Sequence, residues 1–211
     1  ALVEAANDFL LRQDSDETFA TAVHVLVDLR TGAYELHSAG HPPALVWDHV
    51  DRNWVADSAR GTALGVQSRP ELHHSTGVLQ PGDGLLFYTD GVVERPGLDI
   101  DAGIDWLRET ARTAVLGGFE GAGRRVLRKV RRGDDDRSAL AMSSSNGEVK
   151  AFPSPPGPFT TSPQHLGLPV AHSRSNVTVR SEGSVITVLS GPNSPPGSPG
   201  LLHSPPQAVL M

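Results

Sequence analysis

Apolar positions change period several times along this chain, and each change marks an element. In ALVEAANDFLLR, residues 1–12, Leu2, Val3, Ala6, Phe9 and Leu10 recur at helical spacing, which predicts the end of an amphipathic helix. After a polar turn, FATAVHVLVDL (19–29) is a Val-rich run bounded by turn residues and predicts a buried strand. Arg30-Thr31-Gly32 turns the chain. AYELHSAG then alternates, with Tyr34, Leu36 and Ser38 on one face and Glu35, His37 and Ala39 on the other, as an antiparallel partner would. His41-Pro42-Pro43 interrupts pairing, since proline cannot donate to a ladder; ALVWDHV resumes as a strand, and VDRNWV is its expected partner. Pro81-Gly82-Asp83-Gly84 is a turn, followed by LLFYTDG, a strand apolar enough to be buried on both faces.

From Asp101 the period becomes helical: Ile104, Leu107, Ala111 and Val115 share a face, and Gly117-Gly118 closes the helix. FEGAGRRVLRKVRRG predicts a second helix ending at Gly133, and RSALAM predicts a final short strand. Helix, neighbouring antiparallel strands, two helices and a strand make an α+β or layered α/β pattern. After Met142 the periodicity is lost. Of the 17 prolines, 12 lie beyond that residue, with only five charges: Glu148, Lys150, Arg174, Arg180 and Glu182. Residues 143–211 are therefore expected to be a disordered tail, too poor in apolar groups to offset ordering entropy. One island, NVTVRSEGSVITVL (176–189), alternates around Glu182-Gly183 like a hairpin, which would need a surface to dock on. Two units follow, 1–142 globular and 143–211 Pro/Ser/Gly-rich.

Composition narrows the function. The net charge of −6 argues against a dedicated nucleic-acid binder, which needs a basic face. The absence of cysteine excludes disulfides and thiolate metal sites and leans toward the cytosol. No apolar run reaches the roughly 18–20 residues of a membrane span, and no signal peptide opens the chain. The first residue is Ala1 rather than Met, which suggests a fragment. Two acidic sites sit at strand boundaries: Asp90 after one strand, and Asp134, Asp135 and Asp136 before another. A hard divalent ion wants rigidly held carboxylate oxygens, and neighbouring strand ends could supply them. On spacing alone a turn at Asp90, with Gly91 at positive φ, and a solvated acidic loop at 134–136 are the simpler readings.

Four motifs, in order, add to this. "SAGHPPALVW" (38–47), "GTALGV" (61–66), "LQPGDGLLFYTDGVVE" (79–94) and "DDDRSAL" (134–140) resemble those of SpoIIE-type serine/threonine phosphatases, the bacterial branch of the PPM metal-dependent phosphatase superfamily. The resemblance spans residues 1–142. It implies a layered β-sandwich flanked by helices, with two Mn²⁺ or Mg²⁺ ions that activate water for direct attack on a phosphoserine or phosphothreonine, so no side chain serves as nucleophile. By motif, Asp90 is a metal ligand and Gly91 the small residue beside it; Asp135-Asp136-Arg137-Ser138 best fits the closing aspartate motif, which makes Asp135 the ligand and Asp136 its neighbour. The implied substrate is a phosphoprotein, typically an anti-sigma-factor antagonist, in the cytoplasm; the oligomeric state is not read from the sequence.

The sequence also departs from that family. The Gly-Gly-Asp-x-x-Asp-like and Gly-Asp-Val-x-Gly-like motifs of the family's first strands are absent from these 211 residues. The chain is thus expected to carry the later half of the metal site, to hold an ion weakly, and to be a poor phosphatase alone. The alternative is a catalytically incomplete regulatory or protein-interaction domain. Among other residues, His41 reads as a structural turn histidine, His73-His74 as an exposed loop without zinc spacing, and Glu94 as a local hydrogen-bonding group. Arg124, Arg125, Arg128, Lys129, Arg131 and Arg132 place six cations in nine residues, most simply a solvated helix face, otherwise a dock for an acidic protein or an anionic lipid headgroup, and last a nucleic-acid contact.

Overall fold

The computed structural model describes residues 2–12, 19–28, 30–94, 97, 99–130, 139–145, 148–154, 175–179 and 184–190. Its elements in chain order are α1 (Leu2–Leu11), β1 (Thr21–Val27), β2 (Ala33–Ala39), β3 (Leu45–Asp48), β4 (Asn53–Ala56), β5 (Arg60–Gly61), β6 (Leu72–Val78), β7 (Gly84–Tyr88), α2 (Ile100–Val115), α3 (Ala122–Leu127), β8 (Ala139–Ser145), β9 (Glu148–Ser154), β10 (Ser175–Val179) and β11 (Ser184–Ser190). The strands form two antiparallel sheets, in the orders β10-β11-β1-β2-β6-β5 and β4-β3-β7-β8-β9.

Alternation in β1 and β7 sets the layers. Val23, Val25 and Val27 from β1 and Leu36 from β2 turn to one side and pack against Leu85 and Phe87 of β7 and Leu140 and Met142 of β8, which closes the two sheets into a sandwich. The opposite face of the second sheet, Leu45, Trp47, Trp54, Leu86, Tyr88, Ala139 and Ala141, is covered by Ile104, Leu107, Ala111 and Val115 of α2 and by Val126 of α3. Leu2–Leu11 lies on the outer face of the first sheet, with Val3, Ala6 and Leu10 against Ala22, Ala39 and Leu64. Strand β7 is thus buried on both faces along its whole length, as its continuous apolar run predicts.

Helix α2 begins at Asp99, whose carboxylate accepts from the Ala102 amide at 2.7 Å as an N-cap. Gly40, in the motif before His41, has φ +66°, and a Cβ there would lie 2.7 Å from Ala63; the position therefore accepts only glycine without strain.

Three readings change. His73-His74, expected in an exposed loop, lie in strand β6, paired with β2 on one side and β5 on the other. The second helix is shorter than its pattern, ending at Leu127 with turns to Val130. Beyond Met142, β8 continues to Ser145 and β9 pairs with it, and β10 and β11 form a hairpin whose second strand pairs with β1 from Thr21↔Ser190 to Val27↔Ser184. The alternating island 176–189 thus forms a hairpin docked on the open edge of β1, and of the stretch expected to be disordered, Glu148–Ser154 is strand on the edge of β8; residues 155–174, 180–183 and 191–211 lie outside the described residues.

Candidate metal centre

A fully buried strand is a rigid arm, and β7 ends by delivering Thr89 and Asp90 to the end of the second sheet. Thr89 is buried, and its carbonyl accepts from the Val92 amide at 2.9 Å. Asp90–Val92 form a single 3-10 turn, closed by the Val93 and Glu94 amides, each 2.8 Å from the Asp90 carbonyl. Glu94 is exposed and contributes its backbone to this closure. The Asp90 side chain is half-buried, and its Oδ1 accepts from the Gly91 amide at 2.8 Å, the one hydrogen bond to this carboxylate among the described residues. Gly91 is buried and is not one of the residues with positive φ, so it is no αL turn glycine.

His41 holds this strand end from behind. It is 5 % exposed, with Nε2 2.9 Å from the Tyr88 carbonyl and Nδ1 3.0 Å from the Thr21 hydroxyl. A carbonyl only accepts, so Nε2 carries the proton and Nδ1 accepts from Thr21. Burial lowers its pKa from 6.5 to about 4, against smaller raising effects of the Tyr88 carbonyl bond and the Asp90 charge. Its role is structural, joining the start of β1 to the end of β7.

The described part of β8 bears on the second predicted carboxylate group only through its register. Tyr88 pairs with Ala139, so β8 begins at the end of the sheet where β7 finishes. Asp134, Asp135 and Asp136 themselves lie outside the described residues. Among the described residues, Asp90 does not belong to any group of three metal-ligating side chains.

Sequence reading missed two buried polar anchors. Asp57 is 6 % exposed and accepts from the Ala59 amide at 2.7 Å and from the Ser75 hydroxyl on both oxygens. Asn7 clamps the loop after β5 to α1: its Oδ1 accepts from the Gly65 amide and its Nδ2 donates to the Gln67 carbonyl. The Ala59 contact is a local Asx turn, but Ser75, Gly65 and Gln67 lie far along the chain from their partners, and only the fold brings them together. The basic stretch is divided. Arg124, Arg128 and Lys129 are exposed, whereas Arg125 turns back onto the carbonyls of Ala114, Gly118 and Glu120; Arg131 and Arg132 lie outside the described residues.

Residues 1–144 match the family model described as stage II sporulation protein E (SpoIIE). The chain belongs to the SpoIIE family. In a crystal structure of the RsbU and RsbW domains of Rv1364c from Mycobacterium tuberculosis, a similar fold covers 72 % of this chain and 42 % of that one, at 26 % identity and a TM-score of 0.56. The phosphatase domain of SpoIIE from Bacillus subtilis, presoaked with Mn, covers 68 % of this chain and 65 % of its own, at 15 % identity and a TM-score of 0.50, a likeness of fold alone. The chain thus spans less than two thirds of each solved structure. The two stacked antiparallel sheets with flanking helices are the fold of these SpoIIE-family phosphatase domains.

Proposed function

We propose that this chain is part of a metal-dependent phosphoserine/phosphothreonine protein phosphatase. The observation that carries the reading is Asp90, a carboxylate held by a fully buried strand at the sheet end where β8 begins, in a chain of the SpoIIE family. Its donor chemistry fits the group: a half-buried carboxylate oxygen in a chain without cysteine suits a hard ion such as Mn²⁺ or Mg²⁺. Asp90 would be one ligand, with Gly91 keeping the surroundings small; Asp135, with Asp136 beside it, would supply the second carboxylate through the start of β8. Two such ions, when bound, lower the pKa of a water and stabilise the charge on a phosphoryl group during in-line displacement. The residues of this chain hold and orient. The Gly91 amide and the 3-10 turn orient the carboxylate, His41 holds the Tyr88 carbonyl at the strand end, and β7 fixes its depth.

The substrate proposed is a regulatory phosphoprotein of the anti-sigma-factor-antagonist type, met in the cytoplasm. No described helix is long and apolar enough to cross a membrane. The test is phosphate release from such a phosphoserine protein in Mn²⁺, by a longer protein containing this sequence. Asp90→Asn should reduce the rate by about 100-fold or more, since even second-layer changes at metal sites cost about 10–100-fold. Unchanged turnover in that variant would remove Asp90 from the site.

A second reading is favoured by the absence of the Gly-Gly-Asp-x-x-Asp-like motif and by the isolation of Asp90 among the described ligating groups. In it the 211-residue chain is a regulatory or protein-interaction domain without catalysis of its own. Calorimetric titration with Mn²⁺ tests it: tight binding of two ions by this chain contradicts the non-catalytic reading.

A further inference from the structure

The outer face of the first sheet carries a row of histidines that the phosphatase reading does not use. His24 of β1, His37 of β2 and His74 of β6 are register partners across three adjacent strands, His24↔His37 and His37↔His74. Glu35 lies two residues before His37 and so projects from the same face. Beyond this row the face is capped by α1, which packs against Ala22, Ala39 and Leu64. His37 Nε2 is 2.8 Å from Glu35 Oε1, and the His37 and His74 rings lie 5.4 Å apart at an interplanar angle of 30°. Ligand atoms of Glu35, His37 and His74 all fall within 4.8 Å of one another.

We propose that Glu35, His37 and His74 form a binding site for one borderline transition-metal ion, Zn²⁺ above all, bridging β2 and β6. Two imidazoles and one carboxylate are the donor set that zinc takes with a fourth position left to water. Tetrahedral zinc with bonds of about 2.0–2.2 Å needs its ligand atoms about 3.3 Å apart, a closure within reach of side-chain rotation from the observed spread. Hard ions such as Mg²⁺ prefer all-oxygen surroundings, so this donor set discriminates against the ions expected at Asp90. Access is open: His74 is exposed and Glu35 and His37 are half-buried. His24 stands beside the site, its ring 6.2 Å from that of His37. The site was hidden in the sequence because its members come from strands 37 residues apart, and because His73-His74 reads as a loop.

The untagged 211-residue chain, stripped by a chelator, is titrated with Zn²⁺ in excess Mg²⁺, following bound metal; Co²⁺ is then substituted to read tetrahedral visible absorption. One ion per chain is expected, with affinity lowered at least about tenfold by His37→Gln, His74→Ala or Glu35→Gln. His73→Ala, on the opposite face of β6, and Asp90→Asn should leave it unchanged. If His37→Gln perturbs the fold by circular dichroism, the exposed His74→Ala and the half-buried Glu35→Gln carry the test. The proposal is overturned if Zn²⁺ is not retained over Mg²⁺, if these variants bind as the parent does, or if Asp90→Asn abolishes binding.

Discussion

A single buried imidazole gives the sharpest pH signature in the molecule. Unfolded, His41 takes a proton near pH 6.5; folded, only near 4. Between those values the unfolded chain binds more protons, so stability is complete above about pH 6.5 and is lost as the pH falls toward 4. The loss from this group is on the order of 3 kcal/mol at the low end, with no further contribution below both values. Urea unfolding at a series of pH values should show this acid-side slope, and His41→Asn should flatten it by up to about one proton. An unchanged slope would mean that the ring is not held neutral. The same residue shows what sequence reading can reach: the His-Pro-Pro break marks His41 as a turn residue, but its partners, Thr21 and the Tyr88 carbonyl, lie 20 and 47 positions away and only the fold brings them together.

Elements with strong periodicity are legible for a physical reason, since burial on one or both faces leaves an imprint in residue choice. The apolar run of β7 and the 3.6-residue pattern of α2 carry that imprint. Strand β6 does not: Leu72–Val78 reads LHHSTGV, with its side chains half-buried or exposed, so no alternation of apolar residues marks it. Gly77 in that strand lets the Tyr34 ring approach, a Cβ there falling 2.7 Å from it. At the end of α2 the sequence misleads differently. Arg125 belongs to an apparently solvated basic face, yet its guanidinium caps carbonyls left open where α2 ends, including Ala114 at 2.7 Å. Hydrogen bonds to a charged donor contribute about 1.5–3 kcal/mol when well formed, so Arg125→Ala should destabilise by about 1–2 kcal/mol given its partial exposure. Arg124→Ala, fully on the solvent side, should stay within about 0.5 kcal/mol. Equal midpoints for the two variants in thermal unfolding would contradict the capping role.

At the scale of the whole molecule, both sheets are completed by residues beyond the family match, which ends at 144. β9 extends the second sheet beside β8, and β11 extends the first beside β1. Without them β1 and β8 become edges, each presenting a row of unpaired backbone groups to solvent and to other chains. Both strands also line the sandwich core, through Val23 and Val25 of β1 and Leu140 and Met142 of β8. A chain ending after Ser154 keeps β9 and loses β10 and β11; one ending after Ser145 loses all three. Hydrogen exchange should therefore rise in Thr21–Val27 for the first truncation, at about half of its amides, since alternate N–H groups of an antiparallel strand face each neighbour. The second truncation should add faster exchange in Ala139–Ser145, with self-association visible by sedimentation as the edges pair between copies. Parent-like protection of β1 in the shorter chains would mean that the hairpin does not cover that edge in solution, and that the first sheet stands without the tail.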